Sequence, residues 1–358
     1  MKILAFLLRS YCVPIAFLFC SYIDAAIIHY AYIVNGVGNS VSVIDIATQT
    51  VVNTIPVGGI PNAITMTLDN KYAYIANRDN NNISVIDVAK QSVINTIFVG
   101  SDPRVITMTL DGLWAYVANY NDNSVSVIDI ATQTVVNTIS VGSAPVAITM
   151  TLDGLWAYVA NYNDRTISII NISQQSVQQV LSVGGRPNAI TMTLNGLFAY
   201  VSRSYIGGRF VSIINVSTKS VTSRVSVGIG SQAIAMTLNR QSAYIVNGTG
   251  NNTVSIINIA NPSLPVQTIS VGIDPAAIAM TVDGQWAYIT NQSSNTVSII
   301  NIANPLLPVQ TISVGNFPLA IAMTQVFSPD PVPTPAGSSA VIKAVQKYSG
   351  NPMQKGIY

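Results

Sequence analysis

The chain has 358 residues, of which 8% are charged and 49% are hydrophobic, and its formal net charge at pH 7 is +2. This near balance excludes a concentrated basic face, so no nucleic-acid partner is expected. The only two cysteines, Cys12 and Cys20, lie close to the start of the chain.

Residues 1–25 have the pattern of an export signal, with Lys2 and Arg9 ahead of a short apolar run and Ala25 at a cleavage point. An uncleaved anchor is the alternative, but Arg9 divides the apolar stretch and the remainder is too short to span a bilayer. We therefore expect an exported chain, periplasmic, cell-surface or secreted, that spans no membrane after cleavage. Its mature part would contain no cysteine for a disulfide or a metal site.

From residue 31 onward the sequence repeats, and a tyrosine marks each of seven copies: Tyr32, Tyr74, Tyr116, Tyr158, Tyr200, Tyr244 and Tyr288. In the second copy, the short apolar or alternating runs 63–68, 72–77, 83–87 and 92–100 predict four strands separated by turn-forming residues. Four strands per repeat of this length are typical of one β-propeller blade, and the helical period of helical repeats is absent.

The two ends of the array predict ring closure. The first copy begins at Ala31 and lacks the Pro-x-x-Ile strand, whereas the last strand of that kind, 319–324, has no tyrosine strand after it. One blade therefore combines both ends, since an open array would expose sheet edges. We predict an all-β fold, a seven-bladed β-propeller of four-stranded antiparallel blades at 26–327. A proline-rich linker at 328–337 and a short helix or tail at 338–358 would follow.

Several repeated side chains predict structural roles. The methionine of each first strand and the aromatic residue two positions before most repeat tyrosines favour packing between blades over a channel lining or a ligand cage. The third strands end in Asp45, Asp87 and Asp129 in three copies and in asparagine in the later copies. This exchange predicts a turn cap, because a catalytic acid must titrate.

The segments AYIVN (31–35), AYIAN (73–77) and AYVAN (115–119, 157–161), each followed by SVID or SIIN or a close variant, resemble the YVTN family of β-propeller repeats. The resemblance implies a seven-bladed propeller of the surface-layer type in an exported or cell-surface protein. It implies no single activity, because propellers of this outline include binding proteins, lactonases and lyases. The fifth copy departs from the pattern, with Arg203 in place of asparagine.

The loops after the tyrosine strands and the loops before the Pro-x-x-Ile strands are expected to share one face, which favours ligand binding there. An anion or carboxylate site is predicted on this face, because guanidinium groups suit such partners. Its candidate residues are Arg165, Arg186, Arg203, Tyr205 and Arg209. The alternative is ordinary solvated charge balanced by Asp164. The loops rich in Asn and Asp lack the ligand order of calcium loops, so neither a metal nor another cofactor is predicted.

The sequence contains one histidine, His29, and no glutamate, no G-x-S-x-G motif and no cluster with metal-ligand spacing. The expected function is therefore non-enzymatic: a monomeric binding or scaffold module that recognises a protein or cell-envelope partner through the loops of one face. Two alternatives stay open. One is a lactonase- or lyase-like propeller enzyme with its site at the channel mouth, and the other is a structural surface-layer or adhesin component.

Overall fold

The structure is a computed structural model, and it describes residues 27–203, 210–248, 250–281 and 283–327. These residues form seven four-stranded sheets in which neighbouring strands run antiparallel. The predicted export signal, the proline-rich linker and the C-terminal helix lie outside the described residues. The described part of the chain contains no helix long and apolar enough to cross a membrane.

We number the sheets as blades 1 to 7 in chain order. Blade 1 contains β1 (Ile27–Asn35), β2 (Ser40–Asp45), β3 (Thr50–Pro56) and β28 (Pro318–Phe327). Blade 2 contains β4 (Pro61–Met66), β5 (Tyr72–Asn77), β6 (Asn82–Asp87) and β7 (Ser92–Phe98). Blade 3 contains β8 (Pro103–Met108), β9 (Trp114–Asn119), β10 (Ser124–Asp129) and β11 (Thr134–Ser140). Blade 4 contains β12 (Pro145–Met150), β13 (Trp156–Asn161), β14 (Thr166–Asn171) and β15 (Ser176–Ser182).

The remaining three blades repeat this order. Blade 5 contains β16 (Pro187–Met192), β17 (Phe198–Arg203), β18 (Phe210–Asn215) and β19 (Ser220–Ser226). Blade 6 contains β20 (Ser231–Met236), β21 (Ser242–Asn247), β22 (Thr253–Asn258) and β23 (Gln267–Ser270). Blade 7 contains β24 (Pro275–Met280), β25 (Trp286–Asn291), β26 (Thr296–Asn301) and β27 (Gln310–Ser313).

Blade 1 joins the two ends of the array, because its strand order is β28-β1-β2-β3. The last strand of the array thus supplies the innermost strand that the first copy lacks. This confirms the predicted closure and the seven-bladed propeller. Closure also removes the exposed sheet edges that an open array would present between its first and last copies.

The core lies between blades. The seven repeat tyrosines are at most 1% exposed, and each strand that carries one is buried on both faces. In one such interface, Tyr74 of blade 2 packs with Ile106 and Met108 of blade 3. The repeated methionines and the aromatic residues, among them Trp114 and Phe198, pack against these inter-blade clusters, which confirms their predicted role.

The turns explain two differences from the predicted strand limits. The innermost strand of blade 2 ends at Met66, because Thr67 leaves the ladder, accepts the Tyr72 N–H with its Oγ1 and donates that hydroxyl to Asp69. The same strand begins at Pro61, since a proline fits the first position of a strand. At the end of the third strands, Asp129 and Asn171 each accept a backbone N–H three residues on, which confirms the predicted turn caps.

The connections divide between two faces of the ring. The loop face carries the loops from the second to the third strand and those that lead into each innermost strand. Backbone hydrogen bonds join these two sets, for example from the Tyr120 N–H to the Asp102 carbonyl at 2.9 Å. The turn face carries the remaining turns, which link the first strand to the second and the third to the fourth.

Candidate functional site

A repeated side-chain bridge organises the loop face. Asn119, at the end of its tyrosine strand, donates its Nδ2 hydrogens to Ser124 Oγ at 3.0 Å and Ser126 Oγ at 2.9 Å. Six blades have this arrangement, with the donors Asn35, Asn77, Asn119, Asn161, Asn247 and Asn291. All six asparagines are 0% exposed, so each bridge gives a buried Nδ2 group its hydrogen-bond partners and fixes the base of the loops, whereas the Oδ1 atoms have no partner within the described residues.

Arg203 occupies the asparagine position in blade 5. It is 7% exposed, and its Nη2 donates to Ser212 Oγ and to the Val183 carbonyl, both within the fold. Gly185 makes room for it, since a Cβ there would lie 2.9 Å from Arg203 Cδ. Burial, with Arg224 nearby, lowers the pKa of Arg203. The structure therefore places this guanidinium inside the blade, as the substitute for a bridging asparagine.

The other described site residues lie beside Arg203 on blades 4 and 5, where the Val183 N–H donates to the Arg165 carbonyl at 3.1 Å. The Arg165 side chain is exposed, in a loop where its own backbone has a φ of 60°. The Arg186 guanidinium lies over the Tyr162 ring at 5.1 Å from the centroid. Tyr205 and Arg209 lie outside the described residues. The five-residue anion site thus stays a prediction, of which only Arg186 and Arg165 are placed at the surface of the loop face.

A different cluster lies at the inner edge of this face, on blades 2 and 3. Asp102, in the loop leading into β8, accepts Arg78 Nε on Oδ1 and Arg104 Nη2 on Oδ2, both at 2.8 Å. The Asp102 side chain is 13% exposed, against 29% for Arg78 and 27% for Arg104. One partly buried carboxylate therefore holds two guanidinium groups, and the cluster has a net charge of +1.

Neighbouring groups fix the position of Arg104. Its guanidinium lies over the Tyr120 ring at 4.5 Å from the centroid, and its backbone carbonyl accepts Asn62 Nδ2 at 2.6 Å. Asn62 and Arg104 are each the second residue of an innermost strand, so this hydrogen bond links adjacent blades at the opening of the central channel. Across the ring, Asn188 makes the equivalent link to Gln232, whose Oε1 it contacts at 2.9 Å.

The arginine pair leaves donors for a ligand. Within the described residues, Arg78 uses only its Nε and Arg104 only one Nη in hydrogen bonds to side chains. Arg104 Nε is buried, so the remaining Nη groups of the two arginines are the donors that suit a carboxylate, a phosphate or a polarised carbonyl oxygen. In the same ranges, no group of three or more His, Cys, Asp or Glu side chains is arranged to hold a metal ion.

The sequence analysis missed this cluster because it followed the arginines of the fourth and fifth copies. A signal was present: Asp102-Pro103-Arg104 stands where other copies have Ile60-Pro61-Asn62 or Ala144-Pro145-Val146. Only this copy has an acidic residue before the proline and a basic residue after it, and this charged pair indicates local specialisation.

Residues 25–113 match a family model described as a YNCE-like beta-propeller. A search of curated proteins found no match. Among solved structures, the chain is similar to a putative 6-phosphogluconolactonase from Bacteroides uniformis, with a TM-score of 0.71 and 16% identity over 83% of this chain and 99% of that one.

Two further structures show the range of proteins with this fold. The periplasmic gluconolactonase of Pseudomonas aeruginosa has a TM-score of 0.71 and 15% identity, over 84% of this chain and 100% of that one. Hydrazine synthase from Kuenenia stuttgartiensis has a TM-score of 0.68 and 18% identity, over 75% of this chain and 96% of that one. At these identities the likeness shows the fold alone.

These comparisons correct the expectation of a non-enzymatic protein. That expectation rested on the missing histidine, glutamate and cysteine constellations, yet propellers of this fold include two lactonases by name. Familiar triads and metal-ligand spacings are not the only arrangements of side chains that catalyse a reaction. A site can also act through guanidinium groups aimed at a developing negative charge, and these leave no such motif in the sequence.

Proposed function

We propose that this chain is an enzyme that hydrolyses small anionic lactones at the opening of the central channel on the loop face. The observation that carries the proposal is the Arg78–Asp102–Arg104 cluster, two guanidinium groups held by one partly buried carboxylate. The lactonases among the similar structures support the reaction class, and the positive cluster supports an anionic substrate.

The chemistry needs few groups. The oxygen of a water molecule bonds to the carbonyl carbon of the lactone, the ring C–O bond breaks, and the released alkoxide takes the proton that the water loses. Negative charge builds on the carbonyl oxygen before the ring opens. A guanidinium N–H already aimed at that oxygen stabilises this charge without reorganising, which is the main source of acceleration in such sites.

Each residue of the cluster has a role in the proposal. Arg104, stacked on Tyr120 and fixed through its backbone by Asn62, binds the carbonyl oxygen. Arg78 binds the anionic substituent of the substrate. Asp102 is a positioning residue, because both of its oxygens already accept a hydrogen bond from an arginine.

We also propose that the chain is exported and that its repeats are of the YVTN type. The charged and apolar pattern of residues 1–25 and the periplasmic location named for the Pseudomonas aeruginosa lactonase support an exported chain. The seven buried tyrosine strands and their bridging asparagines support a repeat of the YVTN type.

The test is a lactonase assay on the purified chain. The hydrolysis of 6-phosphogluconolactone and of glucono-1,5-lactone is followed by proton release against the rate in buffer alone. We expect acceleration of the phosphorylated lactone, a loss of about 10²-fold in kcat/KM for Arg104→Ala, and a mainly KM effect for Arg78→Ala. Lys71→Ala, on the exposed turn face, is the control and should retain full activity.

Two results would overturn the proposal. One is a rate equal to that in buffer for both lactones, in a preparation whose circular dichroism shows a folded β protein. The other is an Arg104→Ala variant with full activity. Loss of activity in Arg165→Ala instead would move the site to the fourth and fifth copies, as the sequence predicted.

A further inference from the structure

The turn face of blades 3 to 6 exposes a group of leucines. Their side chains lie in the turns that follow the innermost strands, and each is between 46% and 58% exposed: Leu110, Leu113, Leu152, Leu155, Leu197 and Leu238. Large apolar side chains that cluster on one face are uncommon on monomeric proteins and mark contact surfaces. We call these six leucines the leucine patch.

A groove lies within the patch because one repeated contact is missing. In three turns, a leucine covers the glycine of the next blade: Leu68 lies 3.1 Å from a Cβ built on Gly112, Leu152 3.5 Å from one on Gly196, and Leu238 3.4 Å from one on Gly284. A Cβ built on Gly154 meets nothing within 4 Å. The resulting groove has a volume of about 310 Å³ and is lined by Leu110, Asp111, Leu152 and Asp153 among others.

Charge divides the leucine patch into two halves. The turns of blades 3 and 4 carry Asp111, Asp129 and Asp153 and no lysine or arginine. The turns of blades 5 and 6 carry Lys219 and Arg240 and no acid. Within the described residues, the ion pairs involve Asp69, Asp87 and Asp102, so Asp111 and Asp153 have no cationic partner.

We propose that the leucine patch is the contact surface between two copies of this chain. A two-fold axis through the boundary of blades 4 and 5 places blade 4 opposite blade 5 of the second copy and blade 3 opposite its blade 6. Asp111, in the turn between the first two strands of blade 3, then faces Arg240, which lies in the equivalent turn of blade 6. The exposed leucines of blades 5 and 6 face the groove at Gly154. Each contact occurs twice, as an isologous interface requires.

The charge arrangement favours a second copy over another partner. A purely basic partner would meet Lys219 and Arg240, and a purely acidic one would meet Asp111 and Asp153, so each would be repelled by half of the surface. Only a partner with the same two halves in reverse order complements both. Blade 1, where the described chain starts and ends, lies across the ring from this contact. The loop face stays free in this dimer. A dimer differs from the monomer that the sequence predicted.

The test is analytical ultracentrifugation of the full chain across a concentration series. We expect a reversible dimer for the unchanged protein. Asp111→Lys and Arg240→Glu should each raise the dimer dissociation constant by about tenfold or more, since each places like charges opposite one another. Because every contact is made in both directions, the double variant Asp111→Lys with Arg240→Glu should return the constant towards its original value.

A milder variant keeps the test independent of folding. In blade 5, Asn195 stands at the position of Asp111 and makes the same turn bonds, from Thr193 Oγ1 and the Leu197 N–H. Asp111→Asn with Asp153→Asn therefore keeps the turns while removing the charge, and it should also weaken the dimer. A monomer at every concentration, or unchanged dimerisation in both single variants, would overturn the proposal.

Discussion

The backbone amide of Gly315 donates a hydrogen bond to the hydroxyl of Ser42, 3.4 Å away, across a separation of 273 residues. Ser42 also accepts from Asn35 Nδ2 at 2.9 Å. Glycines 100, 142, 228 and 272 make the same bond to a serine of the following blade. The closing contact between blades 7 and 1 is therefore chemically the same as the contacts inside the array, and the ring closes without a special device.

Gly315→Ala should weaken this closure. A Cβ at Gly315 would lie 2.5 Å from Asn35 Nδ2 and 2.6 Å from Asn35 Cγ, so the buried bridge must shift. We expect a loss of about 1–3 kcal/mol in the free energy of unfolding, measured by urea titration. Asn316→Ala, at the exposed neighbouring position, is the matched control. Equal stability of the two variants would show that the closing contact contributes nothing.

The buried bridging asparagines should contribute more to the free energy of unfolding than exposed asparagines do. Asn161 donates Nδ2 to Thr166 Oγ1 at 3.0 Å and to Ser168 Oγ at 2.8 Å, and it is fully buried. Asn161→Ala leaves those groups without their donor, so we expect a loss of about 1–3 kcal/mol in urea unfolding. Asn163→Ala, two residues on and exposed, should change stability by less than about 0.5 kcal/mol. A larger loss for Asn163→Ala would contradict the assignment.

The same logic distinguishes structural from surface arginines on the loop face. Arg203→Ala removes the donor to Ser212 and to the Val183 carbonyl, and it should lower the free energy of unfolding by about 1–3 kcal/mol. Arg165→Ala removes an exposed side chain and should have almost no effect on stability. Thermal unfolding followed by circular dichroism measures both. An unaffected Arg203→Ala would return Arg203 to the list of candidate ligand-binding residues.

The architecture could be predicted because it depends on repeated local patterns. Seven copies of a tyrosine strand, and an unfinished copy at each end, determine both the blade and the closure. The site could not be predicted in this way, because it depends on which side chains meet across blades. Arg78 and Asp102 are 24 residues apart and belong to different blades. Arg203 shows the converse. Its position in the repeat predicted contact with a ligand, whereas in the structure it is buried and donates hydrogen bonds within the blade.

Alkaline pH should destabilise the propeller through its buried tyrosines. Desolvation raises the pKa of Tyr116 and of Tyr158 from 10.0 to about 12. The folded chain thus keeps protons that the unfolded chain releases in this window. Since the unfolded state binds fewer protons there, the contribution of these tyrosines to the free energy of unfolding is constant well below pH 10 and falls as pH rises towards 12. Urea unfolding at pH 8 and at pH 11 measures the difference.

Tyr116→Phe isolates this effect. The Tyr116 hydroxyl is buried and makes no hydrogen bond within the described residues, so its removal should cost less than about 1 kcal/mol at pH 8. At pH 11 the variant should be more stable than the unchanged chain, because one ionisable group no longer favours unfolding. Trp114→Phe changes the same strand without removing such a group and should shift stability equally at both pH values. A Tyr116→Phe variant with the full alkaline loss would show that this tyrosine titrates normally in the folded chain.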